Sequence, residues 1–132
     1  MSHAMTTLAQ DFGITADQAQ ALTSKAFDLL DAGDLDGAVV IFTGILVLNP
    51  FDAGVHAALG AVLHEQGKLV EAEAAYDEAI RLDGDTVLAR VNRGDLRLKR
   101  GDAGGFDDLE IAAARISPIQ QRAKNLLRFY AR

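Results

Sequence analysis

The sequence predicts an all-α fold: a right-handed α-solenoid of three helix pairs closed by a C-terminal capping helix. Two observations carry that reading. The first is self-similarity at a spacing of thirty-four residues, centred on the stretch 53–86. Gly60 is matched by Ala26 and Gly94, and Gly67 by Gly33 and Gly101. Ala79 is matched by Ile45 and Ala113, and Leu82 by Leu48 and Ile116. Gly84 stands where Pro50 and Pro118 stand. A fixed period in this range marks stacked copies of one supersecondary unit. The second is composition: 49% hydrophobic and 24% charged, with only two prolines, which favours helix.

Taken in order, residues 1–14 read as an N-terminal tail or short helix, with Met5, Leu8 and Phe12 on one weak stripe. The MSHA before Met5 reads as a cloning remnant. Residues 15–132 then form one domain with units at about 19–52, 53–86 and 87–120. Thr15 and Gln18 have the spacing of a capping box, in which hydroxyl and amide satisfy the free backbone N–H groups of a helix start. The helix they open carries Ala19, Leu22, Ala26 and Leu29 on one face and closes at Gly33. Asp34 caps the next, whose apolar face is Ala38, Ile41, Phe42, Ile45 and Leu48, and Asn49-Pro50 ends it. The pattern predicts helices again at 53–66, 69–82, 87–100 and 103–116. Ser117 as cap and Pro118 in the first turn predict a capping helix over 118–130.

This spacing resembles the tetratricopeptide repeat. Its small stations fall on Ala26, Ala38, Gly60, Ala72, Ala79, Gly94 and Ala113. Its bulky stations fall on Leu22, Leu29, Phe42, Leu59, Leu63 and Tyr76, and its proline on Pro50 and Pro118. The third unit departs: Arg90, Arg93 and Arg97 take bulky stations and Glu110 replaces the aromatic, which predicts an Arg97–Glu110 salt bridge. The stretch ILVLNPFDAGVHAALGAVLHEQGKLVEAEAAY, with SKAFDLLDAGDLDGAVVIF before it, also resembles the small chaperones of bacterial type III secretion that hold translocator proteins.

The resemblance implies a concave groove lined by the first helix of each pair. On that face it puts Gln20, Thr23, Phe27 and Leu30, then Gly54, Ala57, Ala61 and His64, then Leu88, Val91, Asp95 and Leu98. Small in the middle and apolar at both ends, such a groove suits a peptide with two or three hydrophobic anchors. The function expected is therefore non-enzymatic: a protein-interaction module, chaperone or adaptor for a protein or peptide client. The alternative is a self-assembling scaffold, with a second copy or the N-terminal segment covering the groove.

Other chemistries find little support. The carboxylate clamp of heat-shock-chaperone receptors would need Lys, Asn and Arg where this chain has Thr23, Phe27, Ala58, Leu88 and Asn92. His64-Glu65 lacks the second histidine of a zinc peptidase, and no calcium-loop or phosphate-loop spacing occurs, so no catalytic residue, cofactor or metal is assigned. Asp34/Asp36, Asp83/Asp85 and Asp107/Asp108 lie at turns and helix starts, where capping explains them. The absence of cysteine excludes disulfides. No apolar run is long enough to enter a membrane as a helix, and no secretory leader is visible, so a cytoplasmic location is expected.

Charge is unevenly spread. Residues 1–86 hold three Lys/Arg against fourteen Asp/Glu, a net of −11, whereas 87–132 hold ten against five, a net of +5. Arg90, Arg93, Arg97 and Arg100 form a basic helical stripe, but three of them occupy packing stations and aromatics are few, which disfavours nucleic acid. Polarity of this kind can align two copies head to tail.

Overall fold

The computed structural model describes residues 7–131. Met5 of the anticipated N-terminal stripe, and Arg132, lie outside them. The described residues form eight helices and no strand: α1 (Leu8–Asp11), α2 (Ala16–Asp31), α3 (Leu35–Leu48), α4 (Ala53–Glu65), α5 (Leu69–Leu82), α6 (Val87–Lys99), α7 (Gly105–Ala113) and α8 (Gln120–Tyr130). None is long and apolar enough to cross a membrane. The contacts run α2 to α3, α4 to α5 and α6 to α7 within pairs, then α3 to α4, α5 to α6 and α7 to α8 between them. Each helix touches chiefly its neighbours in the chain, which is the contact pattern of a solenoid. Contacts also join α4 to α6 and α6 to α8, so the first helices of the later pairs and α8 stand in one row.

Local chemistry sets the helix ends as anticipated in the first unit, and Asp52 adds a cap the sequence reading did not name. Gln18 N donates to Thr15 Oγ1 (3.1 Å) while Thr15 N donates to Gln18 Oε1 (2.9 Å), completing the capping box. Asp34 and Asp52 accept from Gly37 N (2.9 Å) and Val55 N (3.1 Å). Gly33, Gly67 and Gly101 turn the chain at φ of +83°, +78° and +84°, a region a β-carbon disfavours. Thr7 and Gln10 form a second capping box for the four-residue α1, which packs on α3.

Each pair closes on one small residue against one large one. Ala26 faces Phe42 and Gly60 faces Tyr76, all fully buried or nearly so. A β-carbon at Gly60 would lie 2.5 Å from the Tyr76 ring. In the third pair the partner of Gly94 is Leu109, one residue earlier than strict periodicity demands. Leu109 and Ala112 are fully buried where Glu110 and Ala113 were expected, and Gly105 takes the station of Ala38 and Ala72. The cause is the opening of α7. Gly105 N bonds Asp102 O (3.2 Å) and Phe106 N bonds Ala103 O (3.1 Å), a tight three-residue winding. Such a turn advances about 120° per residue against about 100° in an α-helix, so an earlier residue reaches the inward face.

That shift corrects the predicted Arg97–Glu110 pair. It turns Asp108 inward (1% exposed) and leaves Glu110 in solvent. Asp108 accepts from Arg93 Nη2 (2.7 Å), Arg93 Nε (2.8 Å) and Arg90 Nη1 (3.1 Å), with Arg97 Nη1 at 3.5 Å. Arg93 also bonds Asp77 (2.9 Å), and Arg97 bonds Glu73 (3.0 Å), which Arg100 shares. The basic stripe is thus taken up between α5, α6 and α7. The α8 start is corrected too. Its N-cap is Ile119, Pro118 sits in the preceding turn, and the Ser117 hydroxyl is buried without a partner instead of capping.

Two pairs of substitutions check this packing by urea denaturation. Gly105→Ala should destabilise by about 1–3 kcal/mol, because its β-carbon would lie 2.5 Å from Gly94 O. Gly44→Ala, in the middle of α3 with nothing within 4 Å, should stabilise by about 0.5–1 kcal/mol. Asp108→Ala should cost about 3 kcal/mol by removing the buried carboxylate that Arg90 and Arg93 share, whereas Glu110→Ala should change stability by less than about 0.5 kcal/mol.

Candidate functional site

The concave surface is built by α2, α4, α6 and α8, and stacking decides which side chains stay open on it. Ala57 (1% exposed) and Val91 (0%) do not: they lie in the α4–α6 and α6–α8 seams. Leu98 is half-buried against α7 and α8, and Leu30 packs on the first core cluster. Phe27 (44%) and Leu88 (38%) remain exposed, and Ala61 and His64 are half-buried.

What remains open divides into two compartments. The first, about 240 Å³, is largely apolar and lies between α2 and α4. Phe27, Phe42, Gly54, Val55 and Ala58 wall it, with Gln20, Thr23 and Asp52 at the rim. The Phe27 ring stands edge-on to Phe42, centroids 5.3 Å apart at 80°, so the core aromatic fixes the exposed one.

The second compartment, about 280 Å³, is polar and is lined by Ala61, His64, Glu65, Tyr76, Asn92, Asp95 and Arg122. Asp95, 7% exposed, accepts from the Tyr130 hydroxyl (2.7 Å) and pairs with Lys99 (3.5 Å) and Arg122 (4.0 Å). Arg122 Nη1 donates to Asn92 Oδ1 (2.7 Å), and His64 Nδ1 meets the Tyr76 hydroxyl at 3.2 Å. Burial, then the Lys99 cation, holds the His64 pKa below its ordinary 6.5, against the opposing pull of Asp95. Burial and the Asp95 carboxylate push the Tyr130 phenol up to about 12, so it stays a neutral donor. The compartment therefore offers a neutral imidazole and a half-exposed guanidinium to hydrogen-bonding groups of a partner.

Asn92, Arg122 and Tyr130 were not among the groove residues expected from the sequence. A signal existed for Arg122: it stands thirty-four residues after Leu88, on the row of Gln20 and Gly54. The period thus continues into α8, which aligns with the first helix of each pair.

With this geometry in hand, comparison with known proteins places the fold. Residues 23–87 match the tetratricopeptide-repeat family model. No curated protein sequence matches the chain. The type III secretion translocator chaperone SycD of Yersinia enterocolitica is similar in structure, with a TM-score of 0.86 and 22% identity over 96% of this chain and 99% of that one. SycD in complex with a peptide of the translocator YopD gives 0.79 and 22% over 89% and 95%. The TPR2B domain of yeast Sti1, in a complex with Hsp70, gives 0.78 and 19% over 86% and 95%. At such identities the likeness is one of fold.

The lowered His64 pKa has a consequence for stability. Because the folded state binds its proton more weakly than the unfolded chain, this contribution is full above pH 6.5 and is lost as pH falls from there through the folded value. Denaturation midpoints measured across that window should fall for the wild type and flatten in His64→Gln, while NMR titration should place the imidazole pKa below 6.5.

Proposed function

We propose that this tetratricopeptide-repeat protein is a cytoplasmic chaperone or adaptor that holds an apolar segment of a client polypeptide in its concave groove. One observation carries the reading: an aromatic anchor, Phe27, is held 44% exposed over an open apolar compartment instead of being covered. A large apolar side chain left in water inside a concavity marks an interaction site. Beside it the polar compartment of His64, Asn92 and Arg122 gives a bound chain direction, because apolar burial alone does not distinguish one orientation from the other.

The groove residues of this reading are Phe27, Leu30, Ala61, His64, Leu88, Asp95 and Leu98. Ala57 and Val91 shape it from below, since both are buried in seams. Service to a secreted client is the finer form of the proposal. It is supported by the likeness to SycD, which has been seen with a translocator peptide, over nearly the full length of both chains.

The test begins with capture from a lysate of the source organism on immobilised protein, followed by titration of overlapping synthetic peptides from the captured client. Phe27→Asp removes the aromatic anchor and puts a charge in the apolar compartment, and Ala61→Arg fills the mid-groove; neither residue is fully buried, so circular dichroism should be unchanged. One peptide of apolar character should bind the wild type and lose at least about tenfold in affinity with either variant, roughly 1.4 kcal/mol or more. Equal binding by all three proteins would place the client elsewhere and sink the proposal.

A further inference from the structure

We infer that the two ends of the solenoid dock head to tail, the acidic N-terminal end of one copy of this chain seating on the basic C-terminal end of the next. Stacked helix pairs leave an unpartnered helix face at each end. At the N-terminal end that face belongs to α2, whose extensive contacts are with α3 alone. Together with Ile14 it walls an open hollow of about 520 Å³, apolar through Ile14, Ala21 and Leu22 and flanked by Gln18 and Lys25. Residues 7–36 around it hold six aspartates against one lysine, a net of −5, and Asp17, Asp28, Asp31, Asp34 and Asp36 are exposed.

The C-terminal end has the opposite character. Residues 115–131 hold Arg115, Arg122, Lys124 and Arg128 and no acidic residue, a net of +4. Arg115 pairs with Asp85 and Arg122 with the groove, but Lys124 and Arg128 stand exposed on the outer side of α8. Phe129, which follows Arg128 in the chain, is 74% exposed and steadied edge-on by Tyr130 at 5.0 Å. An exposed aromatic on a basic helix thus lies at one end, and an apolar hollow within a net acidic segment lies at the other. An apolar centre inside a charged rim is the usual anatomy of an interface. Two N-terminal ends repel each other, as do two C-terminal ends, so the charges select the heterologous pairing. Such a contact builds a ring or a filament unless one end is blocked.

Sedimentation equilibrium at about 100 µM tests the inference at about 50 mM and about 500 mM salt, since rim charges are screened over a few ångströms at the higher value. Wild type should exceed the 14.1 kDa monomer mass at low salt and dissociate at least about tenfold more readily at high salt. Lys124→Glu/Arg128→Glu and Asp28→Lys/Asp31→Lys change exposed side chains only, and each should be monomeric alone. Mixed in equal amounts they should associate again, because the intact N-terminal end of one variant meets the intact C-terminal end of the other and the two reversed ends are themselves complementary in charge. A wild type that stays at 14.1 kDa in both salts overturns the inference. So does association indifferent to both charge reversals, or a mixture that remains monomeric.

Discussion

Close approach of the two helices in each pair is the constraint on which the rest depends. A solenoid has no single globular core, so each pair must be fixed by its own contact before the next can stack on it. Here that contact is a small residue beneath a large one: Ala26 under Phe42, Gly60 under Tyr76 and Gly94 under Leu109. Tyr76 and Phe42 are wholly buried, each contributing roughly 1.5–3 kcal/mol through lost apolar surface. In the third pair backbone nearly meets backbone at Gly94 and Gly105, so the crossing there rests on the absence of two β-carbons.

Closeness at that crossing has an electrostatic counterpart. The same turn that brings Gly105 onto Gly94 rotates Asp108 into the interior, where an isolated carboxylate would cost several kcal/mol. Two guanidinium groups bonded to it and a third nearby offset that cost, and Asp77 and Glu73 occupy the remaining arginine donors. Attraction in such a cluster roughly balances desolvation, so its main effect is on geometry: it locks α5, α6 and α7 in one register. Arg90, Arg93 and Arg97, three of the ten basic residues of 87–132, are thereby drawn into the fold, while Lys124 and Arg128 on α8 stand exposed.

The groove inherits its two-part character from the two kinds of packing. Where apolar contacts build the first pair, Phe27 leans on Phe42 and an apolar compartment results. Toward the third pair the inner helices meet through polar groups, and α8 completes the surface by bringing Tyr130 to Asp95 and Arg122 to Asn92. A bound chain would meet apolar surface at one end and hydrogen-bonding groups at the other.

The sequence by itself determined the helix count of the repeat body, the glycine turns, the small-against-large contacts of the first two pairs and the presence of α8. These follow from interactions within one helix or between adjacent helices, and both leave a periodic trace. The place of Phe27 on the first helix of its pair was legible for the same reason. Tertiary structure alone decided the register of α7, and with it the partners of Arg90, Arg93 and Arg97. A 3₁₀ turn changes residue phase without changing residue number, so counting by thirty-four could not see it. It also decided that Ala57 and Val91 are buried and that Arg122 and Tyr130 reach the groove. Exposure of an inner-helix residue depends on how closely the next helix stacks, which is set by contacts between units and not by the residue's place within its own.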